Sequence, residues 1–368
     1  MRKAFVLMMA LCLGLLSFAQ SNVYFTSEIT PESLVRVFQA LGVDPTGIVA
    51  IKISTGESAR TNYLRPEFIR DLVKETGGTI VECNTAYGGV RDATAGHLQV
   101  IEERGFNKIA KVDIMDSEGD MEIPVVDTTW IKHDIVGSHL ANYDFMINLA
   151  HFKGHARGGY GGVLKNQSIG VASRRGKCYI HTAGGSTTTI NGSNDQDSFL
   201  ESMAVAAMAV QDYFRSNGKE IVYIDVMNNL SVDCDCNPLP AAPEISDIGI
   251  LASTDAVALD KACLDLIFDY NPTPGNNPQP LIDRITELHG THIIEYAEKI
   301  GMGVPYYNLI DIDVTGIEEI NHENPDPETL RYNVFTIDGR KILHNAASLD
   351  PLPTGVYIIN GKKQLIMR

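Results

Sequence analysis

Residues 144–166 combine side-chain types suited to holding a small anion. A buried apolar run at 145–150 leads into a segment with two histidines, two lysines, one arginine and five glycines. Glycines let backbone N–H groups approach an anion closely, and lysine and arginine supply positive charge. The alternative is a solvated glycine loop with incidental charges. The predicted anion-binding residues, which include one lysine just beyond this segment, are Lys153, His155, Arg157, Lys165, Asn166 and Lys177.

A second segment, 221–236, carries residue types that ligate metals. An apolar run leads to Asp225, and Asp-Cys-Asp-Cys follows at 233–236. Thiolates and carboxylates are metal ligands by type, and alternate residues of an extended loop share a side. Cysteines two positions apart rarely pair with each other comfortably, which favours two thiolates facing one ion. The predicted metal ligands are His151, His155, His181, Asp225, Cys234, Asp235 and Cys236.

Cys234 and Cys236 have alternatives to metal binding. They could be structural thiols, or they could form disulfides with Cys178 or another cysteine. Their spacing is not C-x-x-C, so the zinc-ribbon rule does not apply. The chain also contains neither of the standard nucleotide-binding glycine motifs and no G-x-S-x-G nucleophile elbow.

The surrounding pattern alternates strands and helices. Predicted strands lie at 47–53, 79–83, 109–115, 143–150, 220–227, 247–252 and 309–314, and predicted helices at 66–76, 93–104, 133–142, 198–216, 255–268 and 280–300. This alternation predicts an α/β fold with a largely parallel, doubly wound sheet and helices on both faces, plus a small C-terminal β appendage. Parallel strands deliver their carboxyl ends to one edge, so we expect both chemical segments to form one site.

Composition and charge exclude several classes of protein. Hydrophobic residues make up 44% of the 368 residues and charged residues 21%, which are globular values that exclude a mainly disordered chain. The net charge of −16 argues against nucleic acid as the main partner, because phosphate binding requires a basic face. After the N-terminus, no apolar run approaches the length of a membrane span.

The first nineteen residues have the pattern of a secretory signal peptide. Arg2 and Lys3 precede an apolar run at 4–16, and the small residues Ser17 and Ala19 predict cleavage before Gln20. The predicted location is therefore outside the cytoplasm, in the periplasm, at the cell surface or secreted. Cleavage removes one of six cysteines, so at least one of the remaining five is free, bound to metal or bonded to another chain.

The C-terminal residues differ in pattern from the body of the chain. Short β-type runs at 332–337, 355–359 and 364–367 are separated by Asp-Gly and Asn-Gly, which are hairpin turn signals. Residues 334–342 and 352–359, with Lys362-Lys363, resemble the C-terminal sorting domain of the type IX (Por) secretion system, which implies export machinery as a partner. A plain β appendage is the alternative. The predicted division is a signal peptide at 1–19, an α/β domain at 20–320, a linker at 321–331 and the tail at 332–368.

The motifs of the body, in their order and spacing, resemble the domain of unknown function 362 family. The matching positions are 148–166, Gly170, Lys177, His181, 224–225, 233–236, 247–260 and 301–303. Many members of that family look like iron–sulfur proteins because they carry a ferredoxin-like cysteine-rich insert. Here residues 184–190 read Gly-Gly-Ser-Thr-Thr-Thr-Ile instead, so ligands for a ferredoxin-type iron–sulfur cluster are missing.

These features favour an exported metal-dependent enzyme or a binding protein for a small anionic ligand, with a divalent metal ion as cofactor. Whether the chain is an enzyme stays open, and the sequence assigns no catalytic residue. The alternative is an iron–sulfur-related redox or cluster-handling protein, which rests here on Cys234 and Cys236 alone. A third interpretation, non-catalytic surface adhesion, rests on the tail.

Overall fold

The computed structural model describes residues 20–57 and 62–313 and, nearer the C-terminus, residues 332–336, 341–346, 348–349, 351–352, 355–359 and 362–366. The chain divides into two compact units, residues 1–314 and 315–368. The predicted signal peptide and the predicted linker lie outside the described residues.

The first unit alternates strands and helices along the chain. Its strands are β1 (Ser21–Thr26), β2 (Val49–Lys52), β3 (Thr79–Glu82), β4 (Val112–Ile114), β5 (Asp120–Ile123), β6 (Asp134–Gly137), β7 (Phe145–His151), β8 (Lys153–His155), β9 (Gly159–Gly161), β10 (Glu220–Met227), β11 (Gly249–Ser253) and β12 (Tyr307–Asp311). Its helices are α1 (Pro31–Ala40), α2 (Pro66–Thr76), α3 (Thr94–Arg104), α4 (Val163–Val171), α5 (Arg174–His181), α6 (Gln196–Ser216), α7 (Ala256–Phe268), α8 (Gln279–Glu287) and α9 (His292–Lys299). Among the described residues, no helix is long and apolar enough to cross a membrane.

Eight of these strands form one mixed sheet in the order β12-β1-β11-β10-β7-β2-β3-β4. The five strands from β10 to β4 in this order are mutually parallel, and β12 is parallel to β1. β11 runs antiparallel to both of its neighbours. The predicted α/β class with a largely parallel sheet is confirmed.

Side chains of the central strand β7 alternate between two apolar layers, as the period of a strand requires. Phe145, Ile147 and Leu149 pack with residues of α1, α2 and α3 on one face. Met146 and Ala150 pack with α4, α6, α7 and α9 on the other face. The predicted covering of both faces by helices is therefore confirmed, and the sheet has no solvated side at its centre.

Helix α2 shows how local signals set its boundaries. Pro66 occupies the first turn, where its missing N–H costs nothing. Gly77 ends the helix with φ of +63°, in the left-handed region that favours glycine. The sequence prediction of a helix at 66–76 has the same bounds as the structure.

The helix predicted at 133–142 is wrong. Residues Asp134–Gly137 form β6, which pairs antiparallel with β5, and Ser138–Asn142 form a 3₁₀ turn. Ile135 and Val136 are β-branched residues, which favour a strand. Their pairing partner is β5, an earlier segment that was not considered when the helix was predicted.

The glycine-rich segment after β7 is more ordered than the predicted loop. β8 and β9 form a hairpin, and α4 and α5 follow it directly. Buried polar side chains on α4, such as Gln167 and Ser168, hide its helical period from a hydrophobic-pattern reading. The secondary structure of this segment therefore depends on tertiary contacts rather than on its local sequence pattern.

The second unit contains a four-stranded antiparallel sheet in the order β14-β13-β15-β16. Its strands are β13 (Tyr332–Thr336), β14 (Lys341–Ala346), β15 (Gly355–Ile359) and β16 (Lys362–Ile366). Val334, Leu352 and Tyr357 form its small apolar cluster. The predicted C-terminal β appendage is confirmed as a structure.

Candidate functional site

The candidate site lies where neighbouring parallel strands end. β2 ends at Lys52, and β7, which lies beside it in the sheet, ends at His151. The chain winds away from these two strands in opposite directions, since β3 and β4 lie beyond β2, and β10 lies beyond β7. Ligand crevices in open α/β sheets form at such switch points, outside the carboxyl ends of the strands.

Asn166, which is predicted to bind the ligand, lies at the cleft and also ties the two strand ends together. Its amide nitrogen donates to the Lys52 carbonyl oxygen at 3.0 Å and to Asn148 Oδ1 at 2.7 Å. Its own Oδ1 accepts from Lys52 Nζ at 3.1 Å. Asn166 therefore positions the floor of the site.

A cleft of about 260 Å³ opens at these strand ends. It brings together many of the predicted residues with others that sequence reasoning missed. The predicted residues that line it are His155, Arg157, Lys165, Asn166, Lys177, His181 and Cys236. The missed residues include Lys52, Ser54, Glu82, Thr85, Tyr87 and Arg91.

The cleft has an excess of positive charge. Lys52, Arg157, Lys165 and Lys177 line it, and within the described parts of the chain none of them forms a salt bridge with a carboxylate. Arg91 differs, because it pairs with two glutamates. Like charges gathered at low dielectric without counter-ions repel one another, and a bound anion relieves that repulsion.

The lysines of the cleft differ in their partners. Lys52 Nζ donates to the Ile53 carbonyl at 2.6 Å, and Lys177 Nζ donates to the Ala172 carbonyl at 2.5 Å. Burial lowers the pKa of Lys52 to about 8 even though the charge of Glu82 opposes this shift. Burial, reinforced by the charge of Lys153, lowers the pKa of Lys165 to about 7.

A network of buried charged residues stabilises the side of the cleft formed by the end of β3. The Glu82 carboxylate accepts hydrogen bonds from Thr55 N at 2.6 Å, from Arg91 Nη1 at 3.3 Å and from His97 Nε2 at 2.5 Å. Arg91 also contacts Glu57 at 3.1 Å. Burial alone would raise the pKa of Glu82, but His97 and Arg91 hold it well below its usual range. The one feature of the sequence that could have identified Glu82 as a site residue is its position at the end of a predicted strand.

The two cleft histidines are neutral. His155 Nδ1 accepts from the backbone N–H groups of Gly158 at 2.8 Å and Arg157 at 3.2 Å, so its ring proton is on Nε2. Burial and the charge of Lys165 lower the pKa of His155 well below its usual value. His181 stacks on Phe199, and burial together with Arg157 lowers its pKa to about 3. Neutral imidazoles can offer an anion a hydrogen bond without adding charge.

A smaller cavity of about 50 Å³ shares Ser54, Lys165, Asn166 and Cys236 with the cleft. An ion-pair cluster, Lys153–Asp235–His151, lies along it: Asp235 Oδ2 is 2.9 Å from Lys153 Nζ and 3.1 Å from His151 Nδ1. His151 Nε2 donates to the Asn228 carbonyl at 2.6 Å. Both ring nitrogens of His151 are therefore engaged, and Lys153 is already paired.

The prediction that Asp225 ligates a metal with these residues is wrong. β10 continues for two residues past Asp225, and the side chain points into the helical layer, where it meets Asp260 and Cys263 of α7. Burial, followed by the charge of Asp260, raises the pKa of Asp225 well above its usual value. This carboxyl pair is a buried structural element rather than part of the cleft wall.

The expectation that Cys234 and Cys236 do not pair with each other is also wrong. They form a disulfide, with a Cα–Cα distance of 5.3 Å. The prediction assumed an extended loop, but the chain turns here, because Asn237 N donates to the Cys234 carbonyl at 3.0 Å. Cys83, Cys178 and Cys263 are free and buried.

A three-residue group remains as a candidate for holding a metal ion. Possible ligand atoms of His155, Cys234 and Cys236 lie within 4.8 Å of one another. In the disulfide state the sulfurs are not thiolates, which metal binding requires. His155 also uses Nδ1 as an acceptor, so Nε2 would first have to lose its proton. The group therefore fits a metal only after reduction and a shift of the ring proton.

A comparison with protein families identifies the body of the chain. The family model described as Domain of unknown function (DUF362) matches residues 49–265, more than half of the chain, and the chain belongs to this family. The matched range contains the cleft and both chemical segments. No curated protein matches the chain in sequence.

Two solved structures share a distant likeness of fold. One is the lactate racemase apoprotein from Thermoanaerobacterium thermosaccharolyticum, with 14% identity, a TM-score of 0.35, and coverage of 55% of this chain and 50% of that chain. The other is a Thermotoga maritima protein determined by the Northeast Structural Genomics Consortium, with 10% identity, a TM-score of 0.36, and coverage of 73% and 58%. The chain thus spans only about half of either protein's length.

Proposed function

We propose that this member of the DUF362 family binds a small anionic ligand in the cleft at the switch point of its sheet. The observation that carries the proposal is the set of four cations, Lys52, Arg157, Lys165 and Lys177, that face one cleft without carboxylate partners among the described residues. A chain with net charge −16 has little general attraction for anions, so this local excess favours a specific site.

The size and polarity of the cleft limit the class of ligand. A cleft of about 260 Å³ suits a metabolite-sized carboxylate or phosphate rather than a polymer. Neutral His155 adds a hydrogen-bond donor, and Tyr87 and Ile169 line the cleft with apolar surface. The proposed ligand is therefore a small organic anion.

The first prediction is that small carboxylates raise the melting temperature of the protein and bind measurably in calorimetry. Arg157→Gln and Lys165→Met should each weaken binding about tenfold or more, because a charge-assisted hydrogen bond contributes about 1.5–3 kcal/mol. Binding should weaken as salt concentration rises. Lys132→Met is the matched control, since it removes the same charge from an exposed position and should leave affinity unchanged. Equal losses in all three variants would contradict a specific site.

A second candidate function, metal binding, is favoured by the proximity of His155, Cys234 and Cys236. It requires that the disulfide be reduced. The expected result is that reduced protein binds one zinc ion per chain in a chromophoric competition assay, while oxidised protein binds none. Cys234→Ser and Cys236→Ser should abolish binding, and Cys178→Ser, a buried free cysteine elsewhere, should not. Zinc binding by the oxidised protein would contradict this arrangement.

We also propose that the protein is exported and begins near Gln20. The charged, apolar and small residues at 1–19 support this, and the first described strand begins at Ser21, so cleavage there would spare it. The Cys234–Cys236 disulfide is consistent with an oxidising compartment. Mass spectrometry of natively purified protein should show an N-terminus near Gln20; retention of Met1 would refute export by this route.

A further inference from the structure

One lysine of the cleft differs from the others in its surroundings. Lys52 and Lys177 of the cleft, and Lys153 of the smaller cavity, each donate to a protein acceptor. Lys165 lines both the cleft and the smaller cavity, yet its Nζ forms no hydrogen bond or ion pair with any residue that the structure describes. Its ammonium group therefore lacks the partners that normally stabilise a partly buried charge.

The groups around Lys165 oppose its positive charge. It is the third residue of α4, close to the positive end of the helix dipole. Lys52, Lys153 and Lys177 add positive charge, and Asp235, which acts in the other direction, is already paired with Lys153 and His151. The neutral imidazoles of His155 and His181 supply no counter-charge. These surroundings lower the pKa of Lys165 to about 7, so at neutral pH part of the population is the ammonium ion and part is the unprotonated amine, which is a nucleophile.

We propose that Lys165 forms a Schiff base with the ligand, and that the ligand is a small oxo-carboxylate, a compound with both a ketone and a carboxylate. The inference rests on the anion-binding function proposed above. The carboxylate meets the unpaired cations of the cleft, and the ketone meets Nζ of Lys165. This assigns Lys165 a role in covalent ligand binding that is distinct from charge alone.

The covalent step balances without an external oxidant or reductant. The Nζ lone pair attacks the carbonyl carbon, and the C=O π electrons move to oxygen to give a carbinolamine. Loss of water then removes that oxygen with the two protons that the amine carried, and leaves a C=N bond. Water and the Schiff base are the only products, and hydrolysis reverses the step.

The test treats the full mature chain with pyruvate or acetoacetate and then with borohydride, which reduces the C=N bond to a stable amine. Peptide mapping should find one adduct, at Lys165. At pH 7 it should form on the order of a thousandfold faster than at exposed lysines, because a pKa near 7 leaves about half of the Lys165 amine unprotonated and an ordinary lysine has less than about one part in a thousand. The pyruvate and acetoacetate arms distinguish a 2-oxo acid from a 3-oxo acid.

Two variants and one analogue separate this inference from the proposed function. Lys165→Arg keeps the charge and should still bind isobutyrate, which has a carboxylate but no ketone, while forming no adduct. Lys165→Met should form no adduct and should bind isobutyrate about tenfold or more weakly. If isobutyrate binds but no oxo-acid is trapped at Lys165, the Schiff-base inference is overturned and anion binding survives. If neither anion binds, the proposed function itself fails. Adducts spread evenly over surface lysines would also overturn the inference.

Discussion

Replacing Asp260 by alanine should lower the free energy of unfolding by about 3–6 kcal/mol and abolish anion binding. Asp260 is fully buried on α7, and its carboxylate accepts from Val163 N at 2.8 Å, Leu164 N at 3.1 Å and the Tyr160 hydroxyl at 3.1 Å. Alanine would leave three buried donors without an acceptor, at about 1–3 kcal/mol each, partly offset by relaxation.

The effect should reach the cleft because Asp260 caps the helix that carries Lys165 and Asn166. Without the cap, the first turn of α4 loses its fixed position, and Asn166 can no longer tie the ends of β2 and β7. Urea unfolding measures the stability change, and calorimetry with a small carboxylate measures binding.

Thr30→Ala provides a control for the loss of a cap. Thr30 caps α1 through a hydrogen bond from Ser33 N at 3.0 Å, on the opposite face of the sheet. This change should cost about 1 kcal/mol and leave binding intact. If Asp260→Ala were no worse than Thr30→Ala, Asp260 would not organise the site.

The sequence was sufficient to predict those helices and strands whose formation depends on neighbouring residues in the chain. The helix at 66–76 follows from its proline, its apolar face and its terminal glycine, and the central parallel strand follows from an apolar run. Because parallel strands end at one edge, the sequence also indicated that the histidine–lysine segment and the Asp-Cys-Asp-Cys loop should meet. The structure brings them to adjoining cavities through the shared residues Lys165 and Cys236.

What the sequence could not indicate depends on partners far along the chain. α4 reads as a loop because its capping residue, Asp260, lies nearly a hundred positions away. Within the helix wrongly predicted at 133–142, residues 134–137 form a strand because β5 pairs with them. Asp225 seemed to end a strand beside the ligand, yet its side chain faces α7. Pairings of this kind carry no local signal, so a single sequence cannot reveal them.

The network around Glu82 is the largest part of the site that the sequence missed, and it supports the second large prediction. Glu82→Gln should lower the free energy of unfolding at pH 7 by about 3–5 kcal/mol, the cost of breaking a buried ion pair from one side. The amide keeps the size of the side chain but removes the charge that faces Arg91 and His97. Arg91 would then keep only one of its two carboxylate partners, Glu57.

The pH dependence of this loss distinguishes charge from packing. Because the folded-state pKa of Glu82 lies below its unfolded value, the stability it contributes is complete above the unfolded pKa of about 4.3 and is lost as pH falls through the folded pKa. The difference between wild type and Glu82→Gln should therefore be large at pH 7 and shrink below about pH 4.

Glu118→Gln makes the same chemical change at a side chain that is 81% exposed, and should cost less than about 1 kcal/mol. Denaturant unfolding of the three proteins at pH 7 and at about pH 2.5 gives the comparison, because the contribution of Glu82 declines only below its unfolded pKa. A Glu82→Gln loss that is equally large at both pH values would mean that shape and hydrogen bonding, rather than the buried carboxylate charge, hold this wall of the cleft in place.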